Sequence, residues 1–131
     1  MKYFTIKELC KSSTAIEKKI DNTPNSEIVN NLENLVEHIL DPLRERYGKP
    51  IHVNSGYRCP ALNKAVNGSK TSHHMTGLAA DITAGSPTKN RVLFDLAQEL
   101  NLPFDQLIDE KSFRWIHISY SNKPRKQILH L

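Results

Sequence analysis

The chain predicts an α+β fold, and two observations carry that expectation. Helix signals occupy the first fifty or so residues, and short strand patterns with one helix among them occupy the rest. At 131 residues the chain is long enough to bury a core and reads as one domain, 1–131. The expected architecture is a small mixed or antiparallel sheet with N-terminal helices packed on it.

Two short helices open the chain. Thr5-Ile6-Lys7-Glu8 and Thr14-Ala15-Ile16-Glu17 each place a hydroxyl three residues before a glutamate, as a helix N-terminus requires. Asn22-Thr23-Pro24-Asn25 reads as a loop. From Ser26, the apolar residues Ile28, Leu32, Leu35, Ile39 and Leu43 recur at threes and fours. They predict a long amphipathic helix to about Tyr47, ended by Gly48 and kinked or restarted by Pro42. Ile51 to Ser55 alternates and reads as a strand. Pro60 to Val66 predicts one or two helical turns, stopped by Gly68. Leu78 to Thr83 is short, small and apolar, which suits a buried strand. Ser86-Pro87 sets a cap and an N1 proline before a helix carrying Val92, Leu93, Leu96, Ala97 and Leu100. Phe104 to Glu110 and Phe113 to Tyr120 read as a hairpin turning at Lys111-Ser112, although that pair lacks the Asn-Gly chemistry of tight turns. There is no internal repeat and no low-complexity segment.

Composition removes several function classes. No apolar run approaches the ~20 residues of a membrane span. Met1 to Glu8 lacks the apolar stretch of a secretory signal, so synthesis in the cytoplasm and export by another route are expected. Cys10 and Cys59 lie far apart in no CxxC pattern and read as reduced thiols. The net charge of +4 favours anionic partners in general. No run of like charge is long enough for a nucleic-acid arm, and interleaved aromatics are absent, so a nucleic-acid binder ranks last.

The chemistry concentrates in three residues. His74 and Asp81 stand seven positions apart, with Gly77 and small residues between them, and His117 interrupts the apolar run Trp115-Ile116-His117-Ile118. One histidine beside a loop is an ordinary surface residue. Asp81, however, falls within Leu78-Ala79-Ala80-Asp81-Ile82-Thr83, where burying an unpaired carboxylate is costly. Either Arg58 or a metal ion would supply the needed cation. Period-two alternation puts His117 on one face with Trp115 and Ser119. Two imidazoles and one carboxylate leave zinc an open position for water, the arrangement of a catalytic rather than a structural site. His38, His52 and His130 read as ordinary histidines, with His130 at a frayed end.

Ser55-Gly56-Tyr57-Arg58, Leu62-Asn63, Ser72-x-His74-x-x-Gly77-x-Ala79-x-Asp81 and Trp115-x-His117 together resemble the M15 family of zinc D-Ala-D-Ala carboxypeptidases and endolysin-type peptidases. The likeness runs from about Phe4 to Tyr120, and its histidine–aspartate motif is the most specific part. It implies a Hedgehog/DD-peptidase-like α+β fold and one zinc ion per chain, bound by His74, Asp81 and His117, with His74 preferred over the adjacent His73. It implies a peptidoglycan stem-peptide substrate, cut at D-Ala-D-Ala or L-Ala-D-Glu. It gives Arg58 the substrate carbonyl or carboxylate and Ser72 the substrate backbone.

The base departs from several relatives, which carry an acid three residues before the last histidine ligand or a histidine two before it. Arg114 and Trp115 occupy those positions here, and neither accepts a proton from water at neutral pH. Asp109 and Glu110 are the candidates. A two-residue turn at Lys111-Ser112 would set Glu110 opposite Phe113 and Gln106 opposite His117, placing Glu110 on the zinc face and Asp109 beside Arg114 on the other. Glu110 is the expected catalytic base. The expected protein is thus a monomeric zinc metallopeptidase acting on the cell wall, of the size of a phage lysis enzyme released by a holin-type pore. The alternative is a zinc-containing, non-catalytic module that binds a wall peptide or a protein.

Overall fold

Side-chain caps start most of the helices in the computed structural model, which describes residues 1–131. The Thr5 hydroxyl accepts from the Glu8 N–H at 3.1 Å and opens helix α1 (Ile6–Cys10). Helix α2 (Ser13–Glu17) is capped by Ser12, whose hydroxyl accepts from the Ala15 N–H at 3.1 Å. The Thr14–Glu17 capping box therefore does not form, because Ser12 starts the helix earlier and leaves Thr14 inside its first turn. Asn25 caps helix α3 (Ser26–Leu35). Pro42 restarts the helix without breaking its path, standing in the first turn of a new helical segment. The chain continues through a π-helical turn (Val36–Leu40) into helix α4 (Asp41–Tyr47). Pro42 has no N–H to donate to the preceding turn, and the wider turn, in which the Asp41 N–H reaches the Val36 carbonyl, accommodates that loss. Gly48, at φ 75°, closes the helix as expected.

Five strands form one sheet in the order β1-β2-β4-β3-β5. They are β1 (His52–Ser55), β2 (Ala79–Thr83), β3 (Phe104–Glu110), β4 (Trp115–Tyr120) and β5 (Gln127–His130). The first four pair antiparallel, and β5 adds to the β3 edge in parallel, so the sheet is mixed. Strand β5 was not expected from sequence, and His130 is paired rather than frayed. The strand owes its place to contacts far away in the chain, including the Leu131 N–H on the Asp109 carbonyl at 2.8 Å. Helix α5 (Pro60–Ala65) bridges β1 to the motif loop, and helix α6 (Pro87–Glu99) comes after β2.

The sheet has two unlike faces. Ala80, Ile82, Leu107, Ile116 and Ile118 are buried and pack with Leu32, Leu35, Ile39, Leu43, Leu93 and Ala97 from the helices. Side chains one residue out of phase, Asp81, Ile108, Glu110, Trp115 and His117, line a cleft on the opposite face.

The β3–β4 turn differs from the expected two-residue form. Lys111 to Arg114 make the connection, and the register pairs Glu110 with Trp115, Asp109 with Ile116, and Ile108 with His117. Glu110 is thus not opposite Phe113, Gln106 is not opposite His117, and Asp109 does not pair with Arg114. The cause is tertiary. Asn90, fully buried on α6, donates to the carbonyls of Phe113 at 2.8 Å and Arg114 at 3.1 Å. Phe113 stacks edge-on against Phe94 with ring centroids 5.4 Å apart. These contacts hold Lys111, Ser112 and Phe113 at φ 51°, 56° and 65°, a left-handed run that local preference alone would not choose.

Candidate metal centre

A short 3-10 turn carries the first candidate ligand. It spans His73–Thr76, opens with the Ser72 hydroxyl accepting from the His74 N–H at 3.1 Å, and ends at Gly77 with φ 77°. A Cβ at Gly77 would also stand 3.1 Å from the Ile28 carbonyl oxygen on α3, so both backbone and space call for glycine there. Ser72 lines the cleft, and its hydroxyl orients the turn that carries His74.

His74 is almost completely buried. Its Nδ1 lies 2.6 Å from the Gly56 carbonyl oxygen. A carbonyl only accepts, so Nδ1 carries a proton and Nε2 is the ring atom turned to Asp81, the one that would offer its lone pair to a metal. Nε2 is 3.3 Å from Asp81 Oδ1, and His117 Nδ1 is 3.0 Å from the same oxygen. The donor atoms of all three residues lie within 4.8 Å of one another. Zinc–ligand bonds of about 2.0–2.1 Å at tetrahedral angles require ligand atoms ~3.3 Å apart, so the two contacts on Asp81 match what that ion needs. The register explains the juxtaposition, since Asp81 pairs directly with His117 across β2 and β4.

Burial pushes the Asp81 carboxyl up. Hydrogen bonds from His117 and His74, and their nearby charge, outweigh that and hold it well below the usual carboxylate range. Its second oxygen faces Arg58 Nη2 at 3.6 Å. Arg58 is fixed on two further sides, by Ser55 Oγ at 3.2 Å from Nε and by Asn63 Oδ1 at 3.0 Å from Nη1. Of the two cations anticipated for Asp81, Arg58 stands beside its second oxygen, and the two histidines that would share a metal with it stand beside the first.

Three positioning residues have no role at the site that sequence alone assigns. Gly56 supplies the carbonyl that sets His74, and a Cβ there would stand 2.1 Å from the Leu9 carbonyl oxygen. Asn63 is buried and holds Arg58. Gly68 leaves room for both, since a Cβ at that residue would fall 2.0 Å from Asn63 Oδ1 and 2.7 Å from Arg58 Nη1. For Gly56 and Asn63 the one sequence signal is membership of the Ser-Gly-Tyr-Arg and Leu-Asn segments.

Glu110 stands on the cleft wall, on the face of His117, one two-residue step (~7 Å along a strand) from Ile108, the cross-strand partner of His117. Trp115 Nε1 donates to Glu110 Oε2 at 2.7 Å. Asp109 points to the other face, buried, with His130 Nδ1 against its carboxylate. His73 lines the cleft outside the ligand cluster, and burial lowers its pKa. His38 stacks on Tyr120, with centroids 4.8 Å apart, and is remote from the cluster. The cleft measures ≈ 910 Å³ and is also walled by Gln106, Lys111 and Arg125.

An α+β sheet that offers two imidazoles and a carboxylate to an open cleft, with an acid on the wall, defines a protein of the metallohydrolase kind. The family model for peptidase M15 matches residues 2–119, and the chain belongs to that family. Over 48 residues it is 48% identical to the zinc D-Ala-D-Ala carboxypeptidase of Streptomyces albus G. That match covers 36% of this chain and spans 19% of the relative's length. No helix of the structure is long and apolar enough to cross a membrane.

Proposed function

We propose that this chain is a zinc peptidase that hydrolyses an amide bond of a peptidoglycan stem peptide, at D-Ala-D-Ala or at L-Ala-D-Glu. The observation that carries the reading is the convergence of His74 Nε2 and His117 Nδ1 on one oxygen of Asp81, in the cleft that also holds Glu110. The named activity of the Streptomyces relative supports the substrate class.

His74, Asp81 and His117 would hold the zinc ion. When bound, zinc supplies Lewis acidity to a water molecule and to the scissile carbonyl. Glu110 takes the proton of the attacking water and returns it to the leaving amine. Arg58, immobilised by Ser55 and Asn63, offers a guanidinium to the carbonyl oxygen as negative charge gathers there, or to a substrate carboxylate. The Gly56 carbonyl keeps His74 in the tautomer that binds metal.

The decisive experiment is mass spectrometry of purified cell wall digested with the zinc-loaded protein. It is expected to show one class of cleaved stem-peptide bond, which also identifies the bond. Zinc uptake with tight capture of stem peptides but no cleavage would identify a binding module instead.

A further inference from the structure

Trp115 is the only tryptophan of the chain, and its ring turns into the cleft instead of the core. It closes the β3–β4 hairpin as the partner of Glu110, and its indole N–H donates to Glu110 Oε2 at 2.7 Å. An indole nitrogen donates and never accepts, so the contact is made to an acceptor oxygen of Glu110. Glu110 Oε1 has no protein partner.

We propose that Trp115 is the positioning residue of the catalytic base: its N–H pins Oε2 of Glu110 so that Oε1 is the oxygen presented to the attacking water. The inference rests on Glu110 being that base. A glutamate side chain turns about three bonds, and β3 directs only the first of them. The residues after Glu110 form a left-handed turn held by Asn90 and Phe94, and none of them hydrogen-bonds to its carboxylate. The indole is therefore the one protein group that selects which oxygen faces the cleft, and a base misaimed by about an ångström is costly in rate. Having a single donor, the indole commits only one oxygen.

The test removes the N–H and keeps the ring. Trp115→Phe is expected to lower kcat about 10- to 100-fold, the worth of one hydrogen bond to a charged acceptor, with KM within about twofold and zinc content unchanged. In a Glu110→Gln background, already nearly inactive, the same change is expected to cost nothing more. Because position 115 holds the only tryptophan, biosynthetic replacement of tryptophan by β-(3-benzothienyl)alanine exchanges that one N–H for sulfur in an isosteric ring. It is expected to reproduce the fall in kcat, and it decides the matter if Trp115→Phe folds poorly. Three results overturn the proposal: wild-type kcat in the benzothienyl protein, a rise in KM at constant kcat, or an equal loss in both backgrounds. A Glu110→Gln enzyme that still turns over would instead remove the base assignment itself.

Discussion

His74 has its ring orientation set by a backbone group, and that makes Gly56 as consequential as the histidine it serves. An alanine at residue 56 would press its methyl group into the Leu9 carbonyl, an atom of backbone that cannot rotate away. Gly56→Ala is expected to cost about 3 kcal/mol or more, as overpacking against a rigid wall does. It should also weaken zinc about 10- to 100-fold by moving the carbonyl that orients His74. Urea denaturation and a zinc competition titration measure the two effects. Glu110→Gln leaves the ligand cluster intact and should retain zinc while losing about 10²–10⁴-fold in kcat, read by peptide turnover alongside metal analysis. Arg58→Lys keeps a charge but cannot reach Ser55, Asn63 and Asp81 together. Turnover is expected to fall with zinc content unchanged.

The β3–β4 hairpin is the element on which the site depends, and it shows how far period-two reasoning reaches. The structure slips the expected register by two residues, and a slip of two returns every side chain to its original face. Glu110 therefore shares the face of His117, and Asp109 is withdrawn, although none of the anticipated cross-strand pairs forms. The turn length was not legible because Asn90 and Phe94, on a different element, determine it. Asn90 is also bonded to Thr83 and to the Ala84 N–H, so one buried amide ties β2, α6 and the turn together. Asn90→Ala is expected to destabilise the protein by about 2–3 kcal/mol through the buried groups it leaves unpaired, measured by chemical denaturation. It should also lower kcat, since the turn next to Glu110 loses its anchor.

For the molecule as a whole, stability should decline at both ends of the pH range. Asp105 is held below the usual carboxylate range, chiefly by side-chain hydrogen bonds from Arg125 at the entry to β5. Its stabilisation is present above 3.8, the ordinary value, and is lost as the pH falls through the lower folded value. Arg125 is largely exposed, so solvent screening keeps the cost of Arg125→Ala small at neutral pH. The gap from the parent should narrow as the medium is acidified, a trend that denaturation at stepped pH would trace. Cys10 has the opposite sign. Burial pushes its thiol up to about 11 from the ordinary 9.0, so its contribution is full below 9.0 and fades as the pH rises towards 11. Cys10→Ala should flatten that alkaline decline.

The amino-acid order alone determined the α+β class, the long helix, three of the four antiparallel strands nearly to the residue, and the histidine–aspartate–histidine set. Those features are written in spacing, which local periodicity and donor chemistry make readable. Tertiary structure decided the parallel strand β5, the four-residue hairpin, and the placing of Gly56, Asn63 and Trp115 around the site. Each of these is a contact between residues distant in the chain, whose free energy depends on which surfaces meet, and no local pattern encodes that.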